Sequence, residues 1–210
     1  MRLDRLALMF TAAFALCAFG CSKPSNAAEM GNPTIGKAAP VFTAVDSNGK
    51  SHTLSDFKGK YVVLEWLNHG CPYVKKHYSA KNMQKLQADW TAKGVVWLSI
   101  ISSSEGKQGY STPEQANKDM AEQGAKPTAI LLDPKGDVGR LYGAKTTPHM
   151  FVVNPEGNLI YKGAIDSVKS ADADDIAGAT NYVQVALTEA MAGKPLTHTD
   201  TTPYGCSVKY

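Results

Sequence analysis

Two heptapeptides, YVVLEWL at residues 61–67 and VVWLSII at residues 95–101, are nearly unbroken apolar runs. A strand with one wet face alternates apolar and polar residues, so a run without alternation is a strand covered on both faces. Such strands require a layer of structure on each side of their sheet. The intervening sequence can supply those layers. From residue 72 to about residue 92 the apolar positions Val74, Tyr78, Met83, Leu86 and Trp90 recur at roughly helical spacing and predict one helix, ended by Gly94. STPEQANKDMAEQG predicts a second helix, with a Ser/Thr cap, a proline in its first turn and a stop at Gly124. TAILLD reads as a strand, DVGRLYG as a short helix and residues 176–192 as a final helix.

Turn chemistry places the remaining strands. PVFTAVDSNGKSHTL reads as two short strands around Asn48-Gly49, and SDFKGK as a turn or short helix. HMFVVNPEGNLIYKGAI is a hairpin around NPEG, and GKPLTHTDTTPYGCSVKY closes the chain as a loose tail. The order predicts an α/β sandwich with a mixed central sheet flanked by helices. The domain spans residues 36–195, and residues 196–210 form the tail.

The N-terminus reads as a targeting segment. Arg2 and Arg5 precede LALMFTAAFALCAF, an apolar stretch short for a bilayer span. Two processing readings compete. Small residues in SNAA suit cleavage after Ala27, which makes residues 1–27 a signal peptide and 28–35 a linker. AFGC instead resembles a lipobox with Cys21 as the lipidated residue, the only membrane attachment the sequence offers. Either reading places the domain outside the cytoplasm, in a cell envelope. The net charge of +3 lies mostly in the targeting segment, at Arg2, Arg5 and Lys23. The rest is balanced and gives no argument for nucleic acid as a partner.

Beyond that segment only Cys71 and Cys206 stand. Two cysteines in an exported protein suggest one disulfide or one redox pair. Cys71 follows a buried strand and opens a helix, where unpaired N–H groups and the positive dipole end favour a thiolate. Lys75 and Lys76 lie in the first turn or so, and Pro72 fits the first helical position, where no N–H is needed. These surroundings predict a lowered thiol pKa and a nucleophilic Cys71.

Three stretches together resemble the redoxins of the alkyl hydroperoxide reductase/thiol-specific antioxidant group, which have the thioredoxin-like fold. GKAAPVFTAVDSNGKSHTLSDFKGKYVVLEWLNHGCP follows the redoxin order up to the nucleophile. TTPHMFVVNPEGNLIYKG places Thr-Pro immediately before a strand. Glu65 precedes Cys71 by six residues, the spacing of the buried carboxylate of thioredoxins. The resemblance implies a cis bond at Thr147–Pro148 packed against Cys71, with the Thr147 backbone available to a bound peptide. It implies Glu65 as a proton acceptor beneath the site, its pKa raised by desolvation.

The motif departs from the two-cysteine redox pattern, since Val74 stands where the second cysteine belongs. Cys206 is therefore the expected resolving thiol; a purely structural staple is the other reading of that pair. The expected activity is thiol–disulfide exchange with protein or small-molecule thiols and disulfides as partners. Peroxide reduction is the alternative. LNHG before Cys71 lacks the Pro and Thr of the peroxidase pattern, and Arg140 sits in the short helix before TTPH. Neither chemistry needs a cofactor. Cys71, His69 and His149 could hold copper as a minor alternative, and His77 lies nearby in sequence. A non-catalytic module on the same scaffold is the last reading.

Overall fold

In a computed structural model, residues 31–210 are described; the signal-peptide and lipid-anchor readings of residues 1–27 and Cys21 lie outside them. The chain runs β1 (Thr43–Asp46), β2 (Ser51–Thr53), β3 (Val62–Trp66), α1 (Pro72–Ser79), α2 (Asn82–Thr91), β4 (Val96–Ile101), α3 (Pro113–Gln123), β5 (Ala129–Leu132), α4 (Asp137–Tyr142), β6 (Thr146–Thr147), β7 (His149–Val153), β8 (Leu159–Gly163), α5 (Tyr182–Met191) and β9 (Cys206–Ser207). Seven strands form one sheet in the order β2-β1-β5-β4-β3-β7-β8. Pairings β3/β4 and β4/β5 are parallel; β1/β2, β1/β5, β3/β7 and β7/β8 are antiparallel.

The apolar runs lie where their composition puts them, at the centre of this mixed sheet. Every residue of β3 and of β4 is buried. Side chains alternate between two cores. Val63, Leu67 and Trp97 pack under α1, α2, α3 and α5, while Val62, Leu64, Trp66, Leu98 and Ile100 pack against Leu54, Val138 and Tyr142 on the other face. By the same alternation Glu65 points into the first core.

Two expected helices are each divided. The segment after Cys71 breaks at Lys81, which adopts left-handed backbone, φ 59°, between α1 and α2. The reason is visible in the spacing: Tyr78 to Met83 is a step of five, which in one straight helix would turn Met83 away from the core. The final helix begins only at Tyr182. Asp174–Gly178 is a separate 3-10 turn, Ala179 is extended, and the Asn181 side chain accepts the Gln184 N–H to cap α5 afresh.

The C-terminal tail is not loose. β9 pairs antiparallel with β6, Thr147 opposite Cys206 and Thr146 opposite Ser207. On one side of that ladder Tyr204 is buried; on the other, the Tyr210 hydroxyl donates to the Ala144 carbonyl at 2.8 Å. Residues 204–210 are thus a strap fastened at both ends.

Candidate active site

Cys71 is the N-cap of α1, held at the end of β3 by an Asn68 turn. Gly70 N donates to Asn68 Oδ1 at 2.8 Å and Cys71 N to the Asn68 carbonyl at 2.9 Å. Asn68 is anchored in turn through its Nδ2 to the Gln108 carbonyl and side chain, both at 3.3 Å. Pro72 occupies the first helical turn, exposed and without an N–H to satisfy. The amides of Val74 and Lys75 donate to the Cys71 carbonyl at 3.1 and 2.9 Å, closing the first turn.

The Thr147–Pro148 bond is cis. Across from α1 it sets the Thr147 carbonyl 3.1 Å from Cys71 Sγ, where it accepts the thiol proton. The Thr147 backbone, expected to stand ready for a peptide, is occupied by the chain's own Cys206. Gly205 makes this approach possible. Its φ is +136°, and a Cβ there would lie 2.1 Å from the Thr147 carbonyl oxygen. Cys71 is completely buried beneath this strap, and Cys206 is partly exposed.

Both thiols are reduced, and the ladder that sets Cys206 opposite Thr147 brings it beside Cys71. Burial pushes the Cys71 thiol up. The polar groups of Cys206, Thr147 and Val74 around the sulfur outweigh it, so the net shift is downward. Cys206 is pushed up to about 11, first by burial and then by Cys71 beside it and the charge there. The asymmetry orders the two thiols: Cys71 is the one that ionises first, and Cys206 is the one that keeps its proton longer. The lysines expected to help do not act on the sulfur. Lys75 is exposed, and Lys76 turns away to the Val168 carbonyl, 3.0 Å, and to Asp166 Oδ2, 3.4 Å.

Glu65 is fully buried and accepts four hydrogen bonds. Tyr78 OH reaches Oε1 at 2.8 Å; Gln87 Nε2, Trp97 Nε1 and Ser99 Oγ reach Oε2 at 3.1, 2.7 and 2.9 Å. Desolvation raises its pKa, and the four donors only partly offset that. Its donors come from α1, α2 and β4, so the carboxyl knits the helix of the thiol to the sheet.

The histidines do not converge. His69 Nδ1 meets Gln123 Nε2 at 3.0 Å, His77 Nδ1 meets Asn82 Nδ2 at 2.9 Å, and His149 Nδ1 accepts from Lys145 N at 3.3 Å. Among the described residues no three His, Cys, Asp or Glu side chains form a group that could hold a metal ion. Arg140 is spent on the Lys135 carbonyl and on the Tyr210 ring, 4.6 Å from its centroid. Sequence reasoning missed Asn68, Asp166 and Tyr204. Asn68 had a signal, an Asx residue two places before a glycine at a strand end; the other two had none.

The profile of the AhpC/TSA family matches residues 35–162. That span contains Glu65, Cys71, Thr147 and Pro148 and stops short of Cys206. The chain is similar to thiol-disulfide oxidoreductase ResA of Bacillus subtilis, 29% identical over 69% of this chain and 76% of that one. It is 28% identical to ResA of Bacillus thuringiensis subsp. konkukian over 60% of this chain and 67% of that one. In structure it is similar to a putative thiol:disulfide interchange protein DsbE from Chlorobium tepidum, TM-score 0.51 at 27% identity, covering 62% of this chain and 85% of that one. An uncharacterized conserved protein from Geobacillus kaustophilus shares the fold more fully, TM-score 0.72 at 24% identity over 84% of this chain and 92% of that one.

Proposed function

The chain belongs to the AhpC/TSA family, and from that premise we propose that it is a thiol–disulfide oxidoreductase with Cys71 as nucleophile and Cys206 as resolving thiol. The observation that carries the reading is the ladder that sets Cys206 opposite Thr147, the residue whose carbonyl accepts the Cys71 thiol at 3.1 Å. The Cys71 thiolate attacks a substrate disulfide; that S–S bond breaks, a mixed disulfide forms and the first substrate thiolate leaves with a proton from solvent. Cys206 then gives up its proton and attacks Cys71 Sγ. The second substrate thiol departs and a Cys71–Cys206 disulfide is left, two electrons having passed from protein to substrate. The reverse sequence oxidises a dithiol by the same atoms.

In this reading Thr147 and Pro148 shape the floor of the site, Pro72 its rim, and Glu65 is a buried proton acceptor that also positions α1. Exchange is preferred to peroxide reduction because the relatives are named for it and because Arg140 is held against Tyr210, away from the sulfur. The partners are thiols and disulfides of proteins or small molecules, met in the cell envelope to which residues 1–27 direct the chain, soluble or anchored through Cys21. Peptide mapping after treatment with oxidised glutathione is the test. A Cys71–Cys206 peptide is the expected product; Cys71 joined only to glutathione while Cys206 stays free overturns the resolving role.

A further inference from the structure

Behind the strap lies a buried charged cluster that the exchange chemistry does not use. Asp166 and Lys76 are both almost wholly buried, with Lys76 Nζ 3.4 Å from Asp166 Oδ2 and His77 Nε2 at 3.8 Å from the same oxygen. The other carboxylate oxygen, Oδ1, accepts the Val168 N–H at 3.1 Å and the hydroxyl of Tyr204. The Tyr204 ring packs edge-on against Tyr73, 5.8 Å between centroids, with Lys76 Nζ 5.7 Å from its own centroid. Tyr73 and Lys76 lie on one face of α1, the helix that Cys71 opens. Tyr204 lies two residues before Cys206. One hydroxyl therefore ties the segment carrying one cysteine to the helix carrying the other.

We propose that Tyr204 is the positioning residue of the thiol pair: its bond to the buried Asp166–Lys76 pair latches the strap down and sets both the dwell of Cys206 on Cys71 and the access of outside disulfides to Cys71. The inference rests on the exchange reading above. Cys71 is completely covered with the strap in place, so attack on an outside disulfide needs the strap lifted, and closure of the Cys71–Cys206 bond needs it returned. A hydrogen bond to a buried carboxylate is strong enough to favour the closed state and can still be broken reversibly. Tyr210 fastens the far end to Ala144 without touching this cluster.

The test uses the full-length reduced protein and the variants Tyr204→Phe and Tyr210→Phe. Tyr204→Phe keeps the ring against Tyr73 and Lys76 and removes only the hydroxyl. Two quantities are read. The first is the equilibrium constant for forming the Cys71–Cys206 disulfide from oxidised glutathione, which should fall about tenfold in Tyr204→Phe, the loss of one charge-assisted bond. The second is the alkylation rate of Cys71 by iodoacetamide in a Cys206→Ser background, above the thiolate midpoint, which should rise several-fold. Asp166→Asn weakens the acceptor and leaves buried Lys76 without its counter-charge, and should shift both in the same directions by at least as much. Unchanged values in Tyr204→Phe, or an equal effect of Tyr210→Phe, overturn the latch while leaving exchange intact. Failure of Cys71 to react with glutathione disulfide in every variant overturns the exchange reading, and the latch with it.

Discussion

Cys206 stands directly opposite Thr147 in a two-stranded antiparallel ladder, and the Thr147 carbonyl is itself the acceptor of the Cys71 thiol at 3.1 Å. One short stretch of backbone thus holds both cysteines. It does so with residues 76 positions before it and about 60 after it, which explains how a single-cysteine helix motif can act as a pair.

The first consequence is electrostatic. The midpoint of Cys71 alkylation against pH should lie below the ordinary cysteine value of about 8.5. Removing the neighbouring thiol, in Cys206→Ala, should raise it, because burial is then opposed by fewer polar groups. Cys206→Ser retains an O–H donor and should fall between the two. A midpoint unmoved by Cys206→Ala would show that the thiol partner does not stabilise the thiolate.

Glu65 makes a prediction of opposite sign on stability. Its folded-state pKa is raised by burial, so its contribution is fullest below the ordinary carboxylate range and is lost as pH rises through the raised value. Glu65→Gln removes that loss but sets an amide among four donors, one of which, Tyr78 OH, can turn to accept. Urea unfolding should show about 1–3 kcal/mol lost at pH 5 and a smaller loss at pH 8. An equal loss at both pH values would mean that Glu65 does not change charge in that range.

Much of this arrangement was legible in the chain. Continuous apolar runs put β3 and β4 in the centre, Asn48-Gly49 gave the β1–β2 turn, and TTPH marked the segment that meets Cys71. The five-residue step from Tyr78 to Met83 carried the helix break, but read as a coarse period it passed for one helix. The strap was illegible for a physical reason. Its order comes from two backbone pairings, a glycine whose missing Cβ matters only beside the Thr147 carbonyl, and a tyrosine whose partner Asp166 is 38 residues away. None of these leaves a periodic trace, and PYGCS has the composition of a flexible end. Lys76 misled for a similar reason: its position in the first turns suggested the sulfur, and only the fold shows Asp166 claiming it.

Acid sensitivity should come from His149 and His77. Burial pushes His149 down to about 3 and His77 to about 4, with Lys145 and Lys162 adding to it for His149 and Lys76 for His77, where Asp166 opposes. Unfolded histidine titrates near 6.5, so between these values the unfolded chain binds protons that the folded chain refuses. Their stabilisation is therefore complete above about 6.5 and is lost as pH falls, by up to about 1.4 kcal/mol per pH unit for each group. His149→Gln, compared by chemical denaturation at pH 6.5 and pH 4.5, should lose less stability on acidification than the unchanged protein. A slope identical in both would assign the acid loss elsewhere.

Gly205→Ala tests the strap at its tightest point. The added Cβ would sit 2.1 Å from the Thr147 carbonyl oxygen, and φ +136° is itself a conformation that side chains disfavour. Both costs fall on the docked state alone, since a lifted strap can relax. The sheet and both cores contain no part of residue 205, so the melting temperature should fall by about 2–12 °C for a local cost of about 1–3 kcal/mol, with the fold retained. The thiols should respond far more. The Cys71–Cys206 disulfide should form more slowly by at least tenfold in oxidised glutathione, with a mixed disulfide at Cys71 accumulating in its place, as read by intact mass over time. The prediction fails if disulfide closure keeps its rate, which would mean that Cys206 reaches Cys71 along a path that does not pass through the Thr147 ladder.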